Sequence, residues 1–420
     1  MINNRYLNLL EKQDSLSLYI HIPFCNTKCY YCAFYSESSK CWDEVKVDSY
    51  LSKLKKEIKV LKSYYNKPYD TVFIGGGNPG VLGYKRLREL LIEIGPSKET
   101  SFEINPESLT LEYINLFKEG LATRISVGIQ SFDDKILELL GRNARYNDNI
   151  KALKIISNLD LLKIDLKNNY FIKNNLITEK EYLSLNTSIK YSFDLMSSLP
   201  TQKKEDSIKD IDTLLKYTNL KHLSLYCLSV EEGTHLYNLV KDKIINKNDD
   251  LFEKDLLENL WLYLEKKGFE HYEVSNFTKD NNKCLHNLRY WDLSPYISLG
   301  SSSASTLFDE NTLIRLTNTS SINSYIKSDL FNEYEVEELS KSEYLDEYLI
   351  VTLRNNRGLN FPTLKAHFQI EKDIVIKAFN TLGDNLYKIS GDFLHLTEDG
   401  FLLLDTIILD ISVFLDKYLR

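Results

Sequence analysis

The chain lacks what would place it in a bilayer, on a nucleic acid or in a disulfide scaffold. No apolar run in its 420 residues reaches the roughly 18 or more that a membrane-spanning helix requires. The start, MINNRYLNLLEKQDS, lacks the basic-then-apolar order of a secretion signal, so a cytoplasmic location is expected, with membrane association only through a partner. Basic residues are outnumbered: 52 Lys and Arg against 60 Asp and Glu leave a formal charge of -8, which gives no footprint for nucleic acid or an anionic membrane. Cysteine is scarce, 6 in all, and Cys41, Cys227 and Cys284 are scattered, which argues against a disulfide framework. Proline is rarer than in most chains, at 8. With abundant Lys, Asn, Ile and Tyr, this reflects a compositional habit of the genome as much as any function. Asn281, Asn282 and KDKIINKNDD (Lys241–Asp250) therefore read as solvated loops.

What remains is an ordinary globular balance, 43% hydrophobic and 27% charged, in a chain long enough for two domains and room for a third. SLYIHI (Ser17–Ile22) alternates or runs apolar and stops at Pro23, as a first strand does. Helical spacing follows at Lys46–Tyr65, then a strand at Tyr69–Ile74, a strand at Thr100–Ile104, a helix near Leu109–Glu119, a strand at Arg124–Ile129 and a helix from Asp133 to Leu140. Further strands are expected at Leu161–Leu166 or Tyr191–Leu195 and at His222–Leu228, and a helix at Leu251–Lys267. Repeated β/α order predicts a parallel sheet, and on its own leaves a full barrel and a doubly wound sheet both open.

One stretch organises the chain: YIHIPFCNTKCYYCAF, Tyr19–Phe34. Cys25, Cys29 and Cys32 stand at spacings of four and three, and thiolate sulfur is a soft ligand suited to iron-sulfur clusters and zinc. Three thiolates can hold three irons of a [4Fe-4S] cube and leave the fourth open to a small molecule. A structural zinc site normally requires four ligands, and His21 is too near Cys25 along a strand to be the obvious fourth. Zinc and chance spacing stay open as alternatives at this point. After the second strand come Gly75, Gly76 and Gly77, then Asn78, Pro79 and Gly80. Such glycines let backbone approach a ligand closely, or simply make a tight turn; neither GxGxxG nor a phosphate-loop lysine is present.

The CxxxCxxC triplet resembles the signature of the radical S-adenosylmethionine (SAM) superfamily. YIHIPFC and the later blocks are similar to its branch containing oxygen-independent coproporphyrinogen III dehydrogenase (HemN) and the HemW haem chaperones. The resemblance implies an α/β fold, an incomplete (β/α)6 barrel with its site at the C-terminal edge of the strands, and a small C-terminal winged-helix-like domain. It implies domains at 1–235 (partial barrel), 236–335 (substrate- or haem-associated extension) and 336–420 (winged-helix-like). It makes Cys25, Cys29 and Cys32 ligands of a [4Fe-4S] cluster, and it carries Tyr19, Tyr31, Gly76, Gly77, Asn78, Glu103, Gln130, Arg142 and Asp194 into a SAM-binding set. Asn78 replaces the Thr of the family's GGGTP, and FDLMSSLPTQ has Ser198 where the family has Gly. A surface role at a helix end remains the alternative for Arg142. About two dozen extra residues around NNYFIKNNLITEKEYLSLNTSIK precede Asp194, as an external strand or a lid. In HLSLYCLSVEEGT (His222–Thr234), Cys227 reads as packing, and Glu231 and Glu232 as a solvated face.

EHYEVSNFTKDNNKCLHNLRYW (Glu270–Trp291) is similar to the HemW branch in particular. The resemblance makes His286 an axial haem ligand, Tyr290 and Trp291 an aromatic wall and Arg289 a propionate partner; a structural histidine is the competing reading. Two family histidines are absent: LGSSSASTL replaces GxGxGAHS around Ser303 and Ala304, and Ala144 stands where LGR is otherwise followed by one. Phe34 occupies the position of HemN's extra cysteine. The expected function is haem binding and transfer to an acceptor protein, with an electron donor. The alternatives are radical oxidative decarboxylation of a porphyrinogen and a noncatalytic scaffold.

Overall fold

A computed structural model describes residues 4–185, 187–331 and 334–419. Six strands run parallel in the order in which the chain makes them: β1 (Ser17–Ile22), β2 (Tyr69–Gly76), β3 (Ser97–Ile104), β4 (Arg124–Gln130), β5 (Lys190–Ser197) and β6 (His222–Cys227). They form the expected six-stranded partial barrel, with extensions at both edges of a twelve-stranded sheet. Beyond β6 lie the antiparallel β8 (Asn276–Thr278) and then β7 (Glu270–Glu273). Beside β1 lies β9 (Tyr296–Leu299), parallel to it, followed by antiparallel β10 (Ala304–Asp309), β11 (Thr312–Asn318) and β12 (Tyr334–Glu338). β12 straddles the expected boundary at 335/336 and belongs to the large sheet.

Period-two alternation divides each barrel strand between two environments. Leu18, Ile20 and Ile22 of β1, Val72 and Ile74 of β2, and Ile125, Val127 and Ile129 of β4 are fully buried and pack outward against the helices. The opposite face carries Tyr19 and His21, Thr71 and Phe73, Glu103, Ser126 and Asp194, so the barrel interior is polar. The long helix Glu44–Tyr64 starts where Asp43 accepts the Lys46 amide at 2.8 Å, a side-chain cap. It buries Tyr50, Leu54, Ile58 and Leu61 completely, a one-faced stripe whose members each contribute about 1.5–3 kcal/mol on leaving water.

Three expected elements differ. The helix near Leu109–Glu119 breaks into two 3-10 turns and the short helix Ile114–Lys118, because Thr110 is extended. Leu161–Leu166 is not a strand: Leu161 is 84% exposed, whereas β5 supplies a nearly continuous buried run. The inserted segment is neither an external strand nor a lid. It forms the helices Tyr170–Lys173 and Glu179–Ser184, anchored by the Tyr170 amide to the Glu119 carbonyl at 2.8 Å, near where β4 begins and so away from the C-terminal mouth.

At the end of the chain, strands Leu359–Asn360, Tyr387–Ser390 and Phe393–Leu396 form a small sheet beside helices Lys341–Thr352, Phe361–Phe368, Lys372–Phe379 and Leu404–Asp416. This is the winged-helix-like arrangement that was expected. It docks on β7 through the Val274 amide to the Arg354 carbonyl (2.8 Å) and the Asn356 amide to the Tyr272 carbonyl (3.0 Å).

Candidate functional site

The cysteine loop leaves the C-terminal end of β1 and folds over the barrel mouth. Cys25 is buried, and Cys29 and Cys32 are partly accessible. Burial above all, with a smaller push from the neighbouring Cys29 and Cys32 thiols, raises the Cys25 thiol to about 11. Among the described residues no three candidate ligands already stand at metal-binding distance, but these three thiols are near enough to act on one another electrostatically. Phe34, at the position of the extra cysteine in HemN, is 72% exposed.

β2 ends beneath this loop. The Gly77 amide donates to the Ile22 carbonyl and the Asn78 amide to the Phe24 carbonyl, both at 2.8 Å. A Cβ on Gly77 would come within 2.8 Å of the Phe24 carbonyl oxygen and 3.0 Å of the Cys25 sulfur, and one on Gly75 within 2.8 Å of Glu103 Oε2. Gly76 (φ 108°) lies so close to the His21 ring that a Cβ would overlap it. The glycines thus let three strand ends close on one another. The Asn78 side chain is spent internally, accepting from the Gly80 and Asn105 amides at 3.1 Å and donating to Ser108 Oγ at 2.9 Å. It staples the β2 and β3 ends, which leaves one Nδ2 hydrogen of Asn78 for the expected side-chain contact to SAM.

Glu103 keeps some exposed area, yet burial and then the nearby Asp194 carboxylate push its carboxyl up to about 7, opposed by the Gly76 amide at 3.3 Å. Asp194 is pushed up to about 6 by burial, against the pull of hydrogen bonds from Ser224 and Ser126, the latter at 3.1 Å to both oxygens. Two carboxyls poised near neutrality can accept donors from a ligand with little cost in charge burial. Gln130 has a left-handed φ of 67° at an irregularity between β4 and β5, and it is buried. Arg142 is not on the surface: it is 6% exposed, donates to the Gly128 carbonyl and lies 3.8 Å from Cys29 Sγ. Burial works against its charge, yet the neighbouring Tyr31 and Cys29 side chains more than offset this and its pKa is raised; its Nε has no partner. Tyr19 stacks on Phe73 at 6.2 Å and meets His21 Nδ1 at 3.0 Å.

The HNLRYW block goes elsewhere. The helix Leu285–Trp291 fills the opposite mouth, where the strands begin: Glu99 Oε1 of β3 accepts the Leu285 amide at 2.8 Å, and buried Arg124 of β4 donates to the Lys283 carbonyl at 2.8 Å. His286 is fully buried, with Nδ1 on Thr71 Oγ1 at 2.7 Å and Nε2 on the Tyr290 hydroxyl at 2.8 Å. Both ring nitrogens are used and the ring stacks on Phe73, so in this structure His286 plays a structural part and presents no free nitrogen for the expected axial-ligand role. Burial lowers its pKa to about 3. Arg289 is likewise committed, to Asp70 at 3.3 Å and Ser15 Oγ at 2.9 Å, and Tyr290 is committed to His286. The expected propionate partner and aromatic wall are therefore parts of this plug, and Trp291, on the same helix, keeps a buried, unpartnered Nε1.

Residues 19–172 match the Radical SAM superfamily. The chain is 31% identical over 400 residues to the haem chaperone HemW of Buchnera aphidicola subsp. Acyrthosiphon pisum, covering 92% of this chain and 95% of that one. It belongs to the HemW family. HemW of Bacillus subtilis is 29% identical, with 82% and 84% covered, and HemW of Escherichia coli 29%, with 74% and 75% covered. Coproporphyrinogen III oxidase (HemN) from Escherichia coli superposes with a TM-score of 0.74 over 99% of this chain and 94% of that one, at 18% identity; this shows the shared fold.

The mouth suits the cofactors of this family. Three thiols share the loop over it, glycine backbone passes against one of them, and Arg142 has an unpartnered buried Nε beside the loop. His21, weighed from sequence only as a fourth zinc ligand, has a different place: it bridges the Tyr19 hydroxyl and the Tyr35 carbonyl, the latter at 2.9 Å. Glu273 of YEVSNF was also missed. It is 1% exposed with an unpartnered Oε1, and burial pushes its carboxyl up to about 7. No spacing rule marks a single buried carboxylate.

Proposed function

We propose that this chain is a haem chaperone that holds a [4Fe-4S] cluster and SAM at the C-terminal mouth of its barrel, binds haem and passes it to an acceptor protein. Cys25, Cys29 and Cys32 hold the cluster. Gly76 and Gly77 admit the methionyl end of SAM, Glu103, Gln130 and Asp194 take its polar groups, and Arg142 meets its carboxylate while fixing the loop through Cys29 and Tyr31. Tyr19 orients His21 behind Gly76. When bound, the pair supplies one-electron reduction at the SAM sulfonium. The observation that carries this reading is the convergence of these groups on one mouth in a chain that is similar to HemW proteins over nearly its whole length. An electron donor reduces the cluster, and the protein acts in the cytoplasm; among the described residues no helix is long and apolar enough to cross a membrane. The region 336–420 works as a domain packed on the barrel edge.

Anaerobically reconstituted protein tests the reading with SAM, reductant and either haem or coproporphyrinogen III. The expected result is stoichiometric haem binding, transfer to an apo-acceptor and no protoporphyrinogen IX. Repeated turnover to decarboxylated product would overturn it in favour of the dehydrogenase reading.

A further inference from the structure

Inside the barrel, below the two carboxyls given to SAM, lies a cavity of about 70 Å³. Glu103 and Asp194 border it above, and Arg124, His222 and Cys284 border it below. Liquid water takes about 30 Å³ per molecule, so the cavity has room for about two bodies of that size and admits neither SAM nor a macrocycle. Period-two alternation puts Ser101, Arg124 and His222 on the inward faces of β3, β4 and β6, and the register sets Ser101 opposite Arg124. Each of the three is 1% exposed. Each keeps one polar atom without a partner: Ser101 Oγ, Arg124 Nη1 and His222 Nδ1.

All three atoms can donate. The Tyr272 hydroxyl oxygen accepts the Cys284 amide at 3.3 Å, so its hydrogen goes to His222 Nε2, 2.8 Å away, and the ring proton of His222 stands on Nδ1. Burial, with Arg124 and Lys190 nearby, holds the His222 pKa well below its ordinary value and keeps the ring neutral. The charge around Arg124 is not balanced. Arg124 Nε and Lys190 Nζ share a single oxygen of Glu99, Oε2, at 3.0 and 3.3 Å, while Oε1 accepts the Leu285 amide. The other side chains that act on Arg124 are Cys284 and Tyr272, both kept neutral by burial, and its Nη2 meets only the Asn282 amide oxygen and the Asn282 and Lys283 carbonyls. A buried cation in excess of its partners is costly. Donors converging without an acceptor are best completed by an anion, whose hydrogen bonds are roughly twice as strong as neutral ones.

We propose that this cavity binds one small monovalent anion, chloride or a formate-sized carboxylate, between Arg124 Nη1, His222 Nδ1 and Ser101 Oγ. The anion completes the floor on which the helix Leu285–Trp291 rests, since Glu99 holds the first amide of that helix and Arg124 the carbonyls leading into it. The site does not depend on the haem reading.

Thermal unfolding of the full-length protein at constant ionic strength, with chloride or formate exchanged for gluconate, which is too large for the cavity, tests the site. Ser101→Val is the comparison, because it replaces an unpartnered hydroxyl by methyl groups that fill the space. In wild type the small anion should raise the midpoint saturably, by about 2–3 °C at 100-fold excess over its Kd, and Ser101→Val should lose that response. A gain from chloride alone assigns the site to a halide, and a gain from formate alone to a carboxylate. Crystals grown in bromide should show an anomalous peak between Arg124 and His222 in wild type, a measurement that decides the matter even where Ser101→Val does not fold. No gain from either anion in wild type, a gain of equal size in both proteins, or a wild-type cavity that holds only water in saturating bromide would overturn the assignment.

Discussion

The burial of His286 makes a pH-dependent prediction that an exposed iron ligand would not share. Its imidazole ordinarily titrates near 6.5, and burial, helped by Arg289 and opposed by Glu99, lowers the folded value to about 3. Between these values the unfolded chain binds more protons than the native one, so the His286 contribution to stability is fully present above about pH 6.5 and is lost progressively as the pH falls. The slope is about 1.4 kcal/mol per pH unit, or about 2 kcal/mol on going from pH 6.5 to 5. Glu57, Glu103, Asp210 and Glu273, each pushed up to about 7 by burial, act in the opposite sense, and so do not reveal His286 in wild type alone. His286→Gln isolates it: the amide can still meet Thr71 and Tyr290 but does not titrate, and the carboxyls are common to both proteins. Above neutrality the variant should be less stable by about 1–3 kcal/mol, from imperfectly replaced buried hydrogen bonds. Urea unfolding followed by tryptophan fluorescence should show this deficit shrinking by about 2 kcal/mol by about pH 5. A difference that stays flat from pH 8 to 5 would refute the buried, neutral imidazole.

Replacing Cys25, Cys29 or Cys32 by Ala should abolish four-iron incorporation, measured as iron and sulfide per chain, while Cys41→Ala, remote from the triplet in spacing and exposed, should leave it unchanged. The glycines should separate by what their Cβ meets: Gly75→Ala, 2.8 Å from Glu103 Oε2, should weaken SAM binding by about tenfold with the cluster retained, equivalent to about 1.4 kcal/mol. Gly77→Ala, 3.0 Å from the Cys25 sulfur, should lower cluster content first; the reverse order in calorimetry and iron assays would sink this geometry. Arg142→Lys should weaken SAM binding and perturb the cluster spectrum together, because one ammonium cannot span both the Gly128 carbonyl and Cys29 as the guanidinium fork does.

The barrel was legible because β/α order and alternation are local signals: Leu18, Ile20 and Ile22 declare one face of β1 whatever surrounds it. The cysteine motif was legible for the same reason, since its three thiols lie at short spacing in one loop. Two local signals fell short. Leu161–Leu166 is apolar enough for a strand, but the barrel already had its fifth strand in Lys190–Ser197, and nothing remained to bury Leu161. Asn78 sits in a family motif, and the motif alone does not tell that its side chain also staples the Gly80 and Asn105 amides and Ser108.

HNLRYW shows the deeper reason why a motif can be recognised and its role still be misplaced. A histidine's fitness as a ligand is not set by its neighbours in sequence but by whether tertiary structure leaves it a nitrogen, and Thr71 and Tyr290 take both from His286. Glu99 and Arg124, on strands far away in sequence, draw the start of that helix into the closed end of the barrel. The block therefore supports the barrel from below while the chemistry collects above it.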